Sequence, residues 1–229
     1  MEKIITIGGM IGLGKTSVSE LLGRELNLPV YYESVDDNPV LARFYTASVE
    51  EQEAERLPFL LQLYFLGTRF KSIKQNIHEK QGILDRSIFE DVYFAKRNAE
   101  FGKLKGENRI SDMELQIYLQ LFDEMMKETE DYSTAHGTKA PDLMVYLKAS
   151  FETVLERIGK RGRDFEQDEA LVEYYRFLWE GYDEWIHKHY KASNVLIVDM
   201  DNVDVVNNPE DAKRLTEAVK SILEQQGEK

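Results

Sequence analysis

The chain has no cysteine and only 5 prolines in 229 residues. Without thiols it has no disulfide framework and no thiolate metal site, which suits a reducing compartment and makes a cytoplasmic location the expectation. No run approaches the ~18 apolar residues of a membrane span. The stretch from Ile4 to Leu13 lacks a basic n-region, since Lys3 is offset by Glu2, and it runs into Lys15 without a small-residue cleavage pattern, so it reads as a strand and turn rather than a secretory leader. Positive charge is also scarce. Lys and Arg number 29 against 42 Asp and Glu, a formal net charge of -13. Polynucleotide binding depends on Lys and Arg displacing counterions, so no nucleic-acid partner is expected, and any phosphate must be met by a local cluster of cations.

What remains is globular: 42% hydrophobic and 31% charged residues, with no low-complexity tract or internal repeat. The length suits a single domain over residues 1–229. Ile4 to Ile7, Val30 to Tyr32, Ile83-Leu84, Leu143 to Leu147 and Val195 to Val198 are apolar runs too short for helices, and helical patterns separate them. Strands alternating with helices predict a mainly parallel sheet with right-handed crossovers. Pro58 suits a first helical turn, Ser111 to Glu114 has capping-box spacing, and Asn208-Pro209 starts a terminal helix. The Glu-rich segment Ser48 to Arg56 and the polar segment Tyr132 to Ala140 offer no continuous apolar face and are expected to be surface connections.

Gly9-Met10-Ile11-Gly12-Leu13-Gly14-Lys15-Thr16 matches the phosphate-binding pattern G-x-x-x-x-G-K-[ST], after a predicted strand and at the start of a predicted helix. Glycines let the backbone turn its N–H groups toward an anion, and the helix dipole adds positive potential. Lys15 is placed for the β- and γ-phosphates, and the Thr16 hydroxyl for Mg²⁺. This identifies a nucleotide site, without deciding between kinase, GTPase and motor.

In parallel α/β sheets, ligands gather beyond the carboxyl ends of strands. Glu33 follows the second run and Asp85-Arg86-Ser87 the third. Asp85 is a candidate partner for the metal, Arg86 for the charge on a transferring phosphoryl group, and Glu33 for the proton of an acceptor hydroxyl. Read in isolation, Asp85-Arg86 could equally end a strand and cap a helix, and Glu33 could be a solvated loop residue. Arg157 and Arg161 share a predicted helix face before Gly162, with Arg163 just beyond. They form either a basic helix end favoured by the dipole or an arginine lid over a triphosphate.

With these motifs in order, the chain resembles the deoxynucleoside kinase family, the branch of deoxyadenosine, deoxyguanosine and deoxycytidine kinases, along nearly its whole length. The resemblance rests on the phosphate loop, Glu33, Phe59-Leu60-Leu61-Gln62-x6-Arg69, Asp85-Arg86-Ser87-x3-Asp91 and Arg157-x3-Arg161-x-Arg163-x2-Glu166. It implies a P-loop kinase fold: a parallel sheet of about five strands flanked by helices, with an Arg-rich lid. It also implies transfer from ATP, or another nucleoside triphosphate, with Mg²⁺ held by Thr16 and Asp85.

On the donor side Gly9, Gly12, Gly14, Lys15, Thr16, Ser17 and Arg157 would bind phosphates, and Arg161 and Arg163 would close over them. On the acceptor side Glu33 and Arg86 would meet the 5′-hydroxyl of a deoxynucleoside. Gln62, Arg69 and Asp91 would read the base, with a lean to purines, and Tyr45 and Glu166 would grip the sugar 3′-hydroxyl. A homodimer through the helices after Pro58 and Ser111 is implied as well. The sequence departs from the family pattern where Ser34 to Pro39 follows Glu33, and in the longer spacing from Tyr45 to Gln62.

Two other functions share part of this pattern. A thymidylate-kinase-type enzyme would need extra cations for the acceptor phosphate, and Tyr31 to Tyr45 offers only Arg43. A nucleotide-dependent regulatory switch would need mobile switch loops, and no Asn-Lys-x-Asp segment is present.

Overall fold

The computed structural model describes residues 3–33, 35, 37–136 and 141–227. Five strands, β1 (Ile4–Gly9), β2 (Val30–Tyr31), β3 (Gly82–Asp85), β4 (Leu143–Lys148) and β5 (Asn194–Asp199), occupy the five apolar runs. The helices are α1 (Lys15–Leu26), α2 (Leu41–Thr46), α3 (Val49–Ala54), α4 (Leu57–Glu79), α5 (Ile88–Lys105), α6 (Asp112–His136), α7 (Phe151–Arg161), α8 (Leu171–Glu180), α9 (Tyr182–Lys188) and α10 (Pro209–Gly227). A 3-10 turn at Asp164–Glu166 follows α7.

All strand pairings are parallel, in the order β2-β3-β1-β4-β5. From β1 the chain moves to the β2-β3 side and later crosses to β4 on the other flank. The crevice where strand order reverses therefore opens at the carboxyl end of β1, where ligands bind in such sheets. Every residue of β1 is buried, as are Leu143 to Leu147 of β4, because a parallel sheet is covered on both faces. Val18 and Leu22 of α1, Val154 and Ile158 of α7, and Tyr174, Tyr175 and Leu178 of α8 pack into this core. A second apolar cluster, Leu66, Phe70, Ile88, Ala95 and Tyr118, joins α4, α5 and α6 away from the sheet.

Pro58 is the second residue of α4, and Asn208 precedes α10 and accepts from Glu210 N–H. Two segments differ from the sequence expectation. Ser48 to Arg56 is a mostly exposed connection, as expected, but it contains the helix α3. Ser48 and Glu51 close a reciprocal capping box, and Arg43 of α2 pairs with Glu55, so caps and charge supply what an apolar face does not. Likewise α6 continues through His136, since no glycine or proline interrupts the sequence before Gly137; residues 137–140 lie outside the described residues.

The box predicted at Ser111 is present: Ser111 N–H donates to Glu114 Oε2 at 2.8 Å and Glu114 N–H to Ser111 Oγ at 3.3 Å. Ser111→Ala is expected to cost about 1 kcal/mol and to lower Tm by about 2–4 °C in a thermal melt, leaving the strand-end crevice untouched.

Candidate active site

The loop between β1 and α1 is shaped by left-handed glycines. Gly12 and Gly14 have φ of 84° and 81°. A β-carbon at Gly12 would come within 2.8 Å of Ile158 Cγ1, so the loop lies directly on α7. Lys15 is buried, and its Nζ donates to the Gly9 and Met10 carbonyls at 3.1 and 2.9 Å. Burial, with Arg86 nearby, lowers its pKa to about 7, although Glu33, Glu90 and Asp85 oppose the shift. An arriving polyphosphate would favour the charged ammonium.

Thr16 Oγ1 donates to Asp85 Oδ2 at 2.6 Å, which joins the loop to the end of β3. Burial raises the Asp85 carboxyl and the Thr16 hydrogen bond partly offsets it. Hydroxyl and carboxylate oxygens suit a hard cation such as Mg²⁺. Among the described residues no group of three His, Cys, Asp or Glu could cage a metal alone. Mg²⁺ fits such a sparse site, because it keeps several waters and takes phosphate oxygens as ligands.

Beyond the loop, buried charges run in a chain across the acceptor side. Asp91 pairs with Arg69, Arg69 with Glu33, Glu33 with Arg86 Nε at 3.2 Å, and Arg86 Nη1 with Glu90 at 3.3 Å. Burial alone would raise the Glu33 carboxyl; Arg86, Arg69 and Lys15 outweigh it and hold the pKa near 2. Burial opposes the charge on Arg86, but Glu33 and Glu90 more than compensate and raise its pKa. Arg86 also has a φ of 104°, a conformation that costs a non-glycine residue about 1–3 kcal/mol and persists only where surrounding contacts impose it. Its guanidinium lies 5.0 Å from the Phe94 ring centroid.

A cleft of about 820 Å³ is lined by Gly12, Lys15 and Thr16 at one end and by Gln62, Arg69 and Asp91 at the other. That volume is at the upper end of the range for small-molecule pockets, room for more than one small ligand. Gln62 is buried in its wall. Arg69 Nε and Asp91 Oδ2 are buried with no protein partner, so each pair member keeps one polar atom uncommitted.

Tyr45 and Glu166 line the same cleft. Tyr45 stacks on Phe165, with ring centroids 5.7 Å apart, and Tyr175 donates to the Glu166 carbonyl at 3.2 Å. The Glu166 side chain is buried and pairs with Arg161, while Arg163 lies 3.6 Å from its other oxygen. Arg157 donates to the carbonyls of Leu13, Met200 and Val203 at 3.3, 2.7 and 3.3 Å, clamping the phosphate loop to the segment between β5 and α10. Ser17 is half-buried beside Thr16 at the donor end. The fold thus gathers every residue singled out in the sequence into or around one crevice.

Residues 5–224 match the family described as Deoxynucleoside kinase. The chain belongs to that family. It is a phosphotransferase on a P-loop kinase fold, and its parallel five-stranded sheet agrees with the expectation. A deoxyguanosine kinase of Lactobacillus johnsonii is 37% identical over 227 residues, 98% of this chain and 94% of that kinase. A deoxyadenosine kinase of Lactobacillus acidophilus is 36% identical over 231 residues, 99% of each chain. The structure of deoxyadenosine kinase from M. mycoides with bound dATP superposes with a TM-score of 0.72 at 25% identity, over 96% of this chain and 99% of that one.

Sequence reasoning missed Glu90 and Tyr182, which stand behind Arg86 and Gly9. The spacing Ser87-x-x-Glu90 is a legible capping box, but nothing marks its carboxylate as the partner of Arg86. Tyr182 lies far away in sequence and carries no signal.

The depressed Glu33 carboxyl has a stability consequence. Its folded-state pKa near 2 lies below the ordinary 4.5, so its contribution is complete above pH 4.5 and is lost as pH falls through about 2. Urea melts between pH 5 and about pH 2 should therefore show a shallower acid loss of stability in Glu33→Gln than in the unsubstituted deoxynucleoside kinase.

Proposed function

We propose that this deoxynucleoside kinase transfers the γ-phosphoryl group of ATP, or another nucleoside triphosphate, to the 5′-hydroxyl of a purine deoxynucleoside, for nucleotide salvage in the cytoplasm. The observation that carries the acceptor assignment is the charge balance of the crevice. Arg69 and Arg86 are already neutralised by Asp91, Glu33 and Glu90. Arg69 is therefore not left uncommitted for the phosphate of a nucleoside monophosphate, whereas an uncharged nucleoside needs no such cation. The purine choice is supported by the polar atoms beside Gln62 and by the two similar Lactobacillus enzymes, a deoxyguanosine kinase and a deoxyadenosine kinase. An amide in the same cleft as an Arg–Asp pair offers both donors and acceptors, suited to a base edge.

In this reading Gly9, Gly12 and Gly14 shape the cradle, and Lys15, Thr16, Ser17 and Arg157 bind or fix the donor phosphates. Thr16 and Asp85 would hold Mg²⁺, which when bound would neutralise charge on the donor phosphates. Tyr45 and Glu166 hold the sugar, leaving the 5′-oxygen between Glu33 and Arg86. As that oxygen bonds to the γ-phosphorus, the bond to the β–γ bridging oxygen breaks and the hydroxyl proton passes to Glu33. A carboxylate with a pKa near 2 is a weak base, so its proton uptake belongs late in the step, when bonding to phosphorus has acidified the hydroxyl. Arg86, Arg161 and Arg163 then face charge spread over the transferring group.

A homodimer is supported by exposed apolar side chains on the helices after Pro58 and Ser111: Leu60 on α4 and Met113, Ile117 and Leu121 on α6. The last three recur every four residues, a stripe on one helix face.

Glu33→Gln should bind ATP with nearly unchanged affinity yet lower kcat by about 100-fold or more; an unaltered kcat in steady-state assays would remove Glu33 from the mechanism. Competitive turnover of the four deoxynucleosides with labelled ATP should favour deoxyadenosine or deoxyguanosine. Formation of no nucleoside monophosphate from any of them would sink the proposed reaction.

A further inference from the structure

Glu90 has no solvent exposure, and four donors converge on its carboxylate. Gly9 N–H reaches Oε1 at 3.1 Å, Arg86 Nη1 reaches it at 3.3 Å and the Tyr182 hydroxyl also donates to it, while Ser87 N–H reaches Oε2 at 2.8 Å. Three of the four converge on Oε1 and one on Oε2, and the Gly9 N–H is shared with the Tyr182 hydroxyl at 3.0 Å. Only the bond from Ser87 belongs to the cap of α5. Glu51, at the same capping-box position in α3, shows what a cap alone requires: it is exposed and accepts from Ser48 N–H at 2.9 Å.

The other three donors come from the end of β1, from α9 and from the buried guanidinium. Gly9 is the first residue of the phosphate loop and Arg86 faces the acceptor, so one oxygen atom ties the two halves of the crevice together. The fit is close, since a β-carbon at Gly8 would stand 3.3 Å from Glu90 Oε2. Arg86 is held on its other edge by Glu33. Glu33 lines the cleft and must turn toward an acceptor hydroxyl, whereas Glu90 is not among the cleft-lining residues. Glu90 is therefore the partner that holds Arg86 from outside the cleft.

We propose that Glu90 is a positioning residue for phosphoryl transfer, fixing the Arg86 guanidinium relative to the phosphate loop through its shared contact with Gly9 N–H and Tyr182. The inference rests on the proposed role of Arg86 at the transferring phosphoryl group. A displaced guanidinium weakens transition-state contacts while leaving ground-state binding of a neutral nucleoside nearly intact.

The test is steady-state kinetics of the full chain with MgATP and deoxyadenosine or deoxyguanosine, below the Tm of each variant. Glu90→Gln should lower kcat roughly 10- to 100-fold with the deoxynucleoside KM within about threefold. Ser111→Ala, which loses a capping group far from Arg86, should keep its kcat. A Glu90→Gln enzyme that melts earlier but turns over at the full rate overturns the proposal and leaves Glu90 a helix cap. If circular dichroism shows Glu90→Gln unfolded, Tyr182→Phe carries the test, since it removes the hydroxyl that donates to Glu90 and accepts from Gly9 N–H while keeping the carboxylate: a lowered kcat at unchanged KM supports the proposal and an unchanged kcat overturns it. Arg86→Lys separates the premises. Full activity in that variant overturns the role of Arg86 and the inference with it, while an impaired Arg86→Lys beside a fully active Glu90→Gln overturns the inference alone.

Discussion

Arg86 lies between Glu33 and Glu90 with almost no solvent contact, and the rest of the site is organised around keeping that charge tolerable. A lone buried guanidinium would cost several kcal/mol, and pairing offsets the cost only when hydrogen bonds satisfy the groups fully. Glu33 takes part by bridging to Arg69, which needs Asp91 in turn. The chain of charges therefore links the Arg69–Asp91 end of the crevice to the phosphate loop. No member can be removed without stranding its neighbour, so a substitution within it acts on folding and on turnover together.

This coupling also explains the strained backbone at Arg86. Its position immediately after β3 delivers the guanidinium to the crevice from the central part of the sheet, and its left-handed φ turns the chain into the Ser87 cap of α5. The sheet, the cap and the ion pairs all act on three consecutive residues, Asp85, Arg86 and Ser87. Asp85 meets Thr16 on the donor side while Ser87 starts the helix that carries Glu90 and Asp91. A short strand end thus serves donor, acceptor and scaffold at once, which is why the local strain can be borne.

Much of this is legible in the amino-acid sequence. Short apolar runs mark the five strands, and glycines mark the phosphate loop at positions where left-handed backbone is required. Glu33, Arg86, Arg69 and Asp91 stand out as charges that follow strands or keep motif spacing. Their connection into one chain does not, because pairings across 22 and 36 residues depend on how α4 packs against β2 and α5. Helix α3 escapes the sequence pattern because its stability lies in caps and ion pairs instead of hydrophobic periodicity. Tyr182 escapes it for a different reason: a tyrosine near a helix start looks like core, and only the fold brings its hydroxyl to Glu90 and Gly9.

The remaining constraint is electrostatic. A protein with a formal charge of -13 has to hold a polyanionic donor, and its long-range field works against that. At physiological salt the field of surface carboxylates is screened beyond about 8 Å, so what decides binding is the set of charges inside the crevice. Lys15 sits there on the Gly9 and Met10 carbonyls, and Arg161 and Arg163 are engaged with Glu166, the residue proposed to hold the sugar. For these arginines to meet the transferring group, Glu166 must give up part of its ion pairing, and a sugar hydroxyl donating to its carboxylate would replace some of what it loses. On the proposed assignments the donor competes with Glu166 for Arg161 and Arg163, while the sugar hydroxyl would donate to Glu166 itself, so that one buried carboxylate couples the two halves of the site.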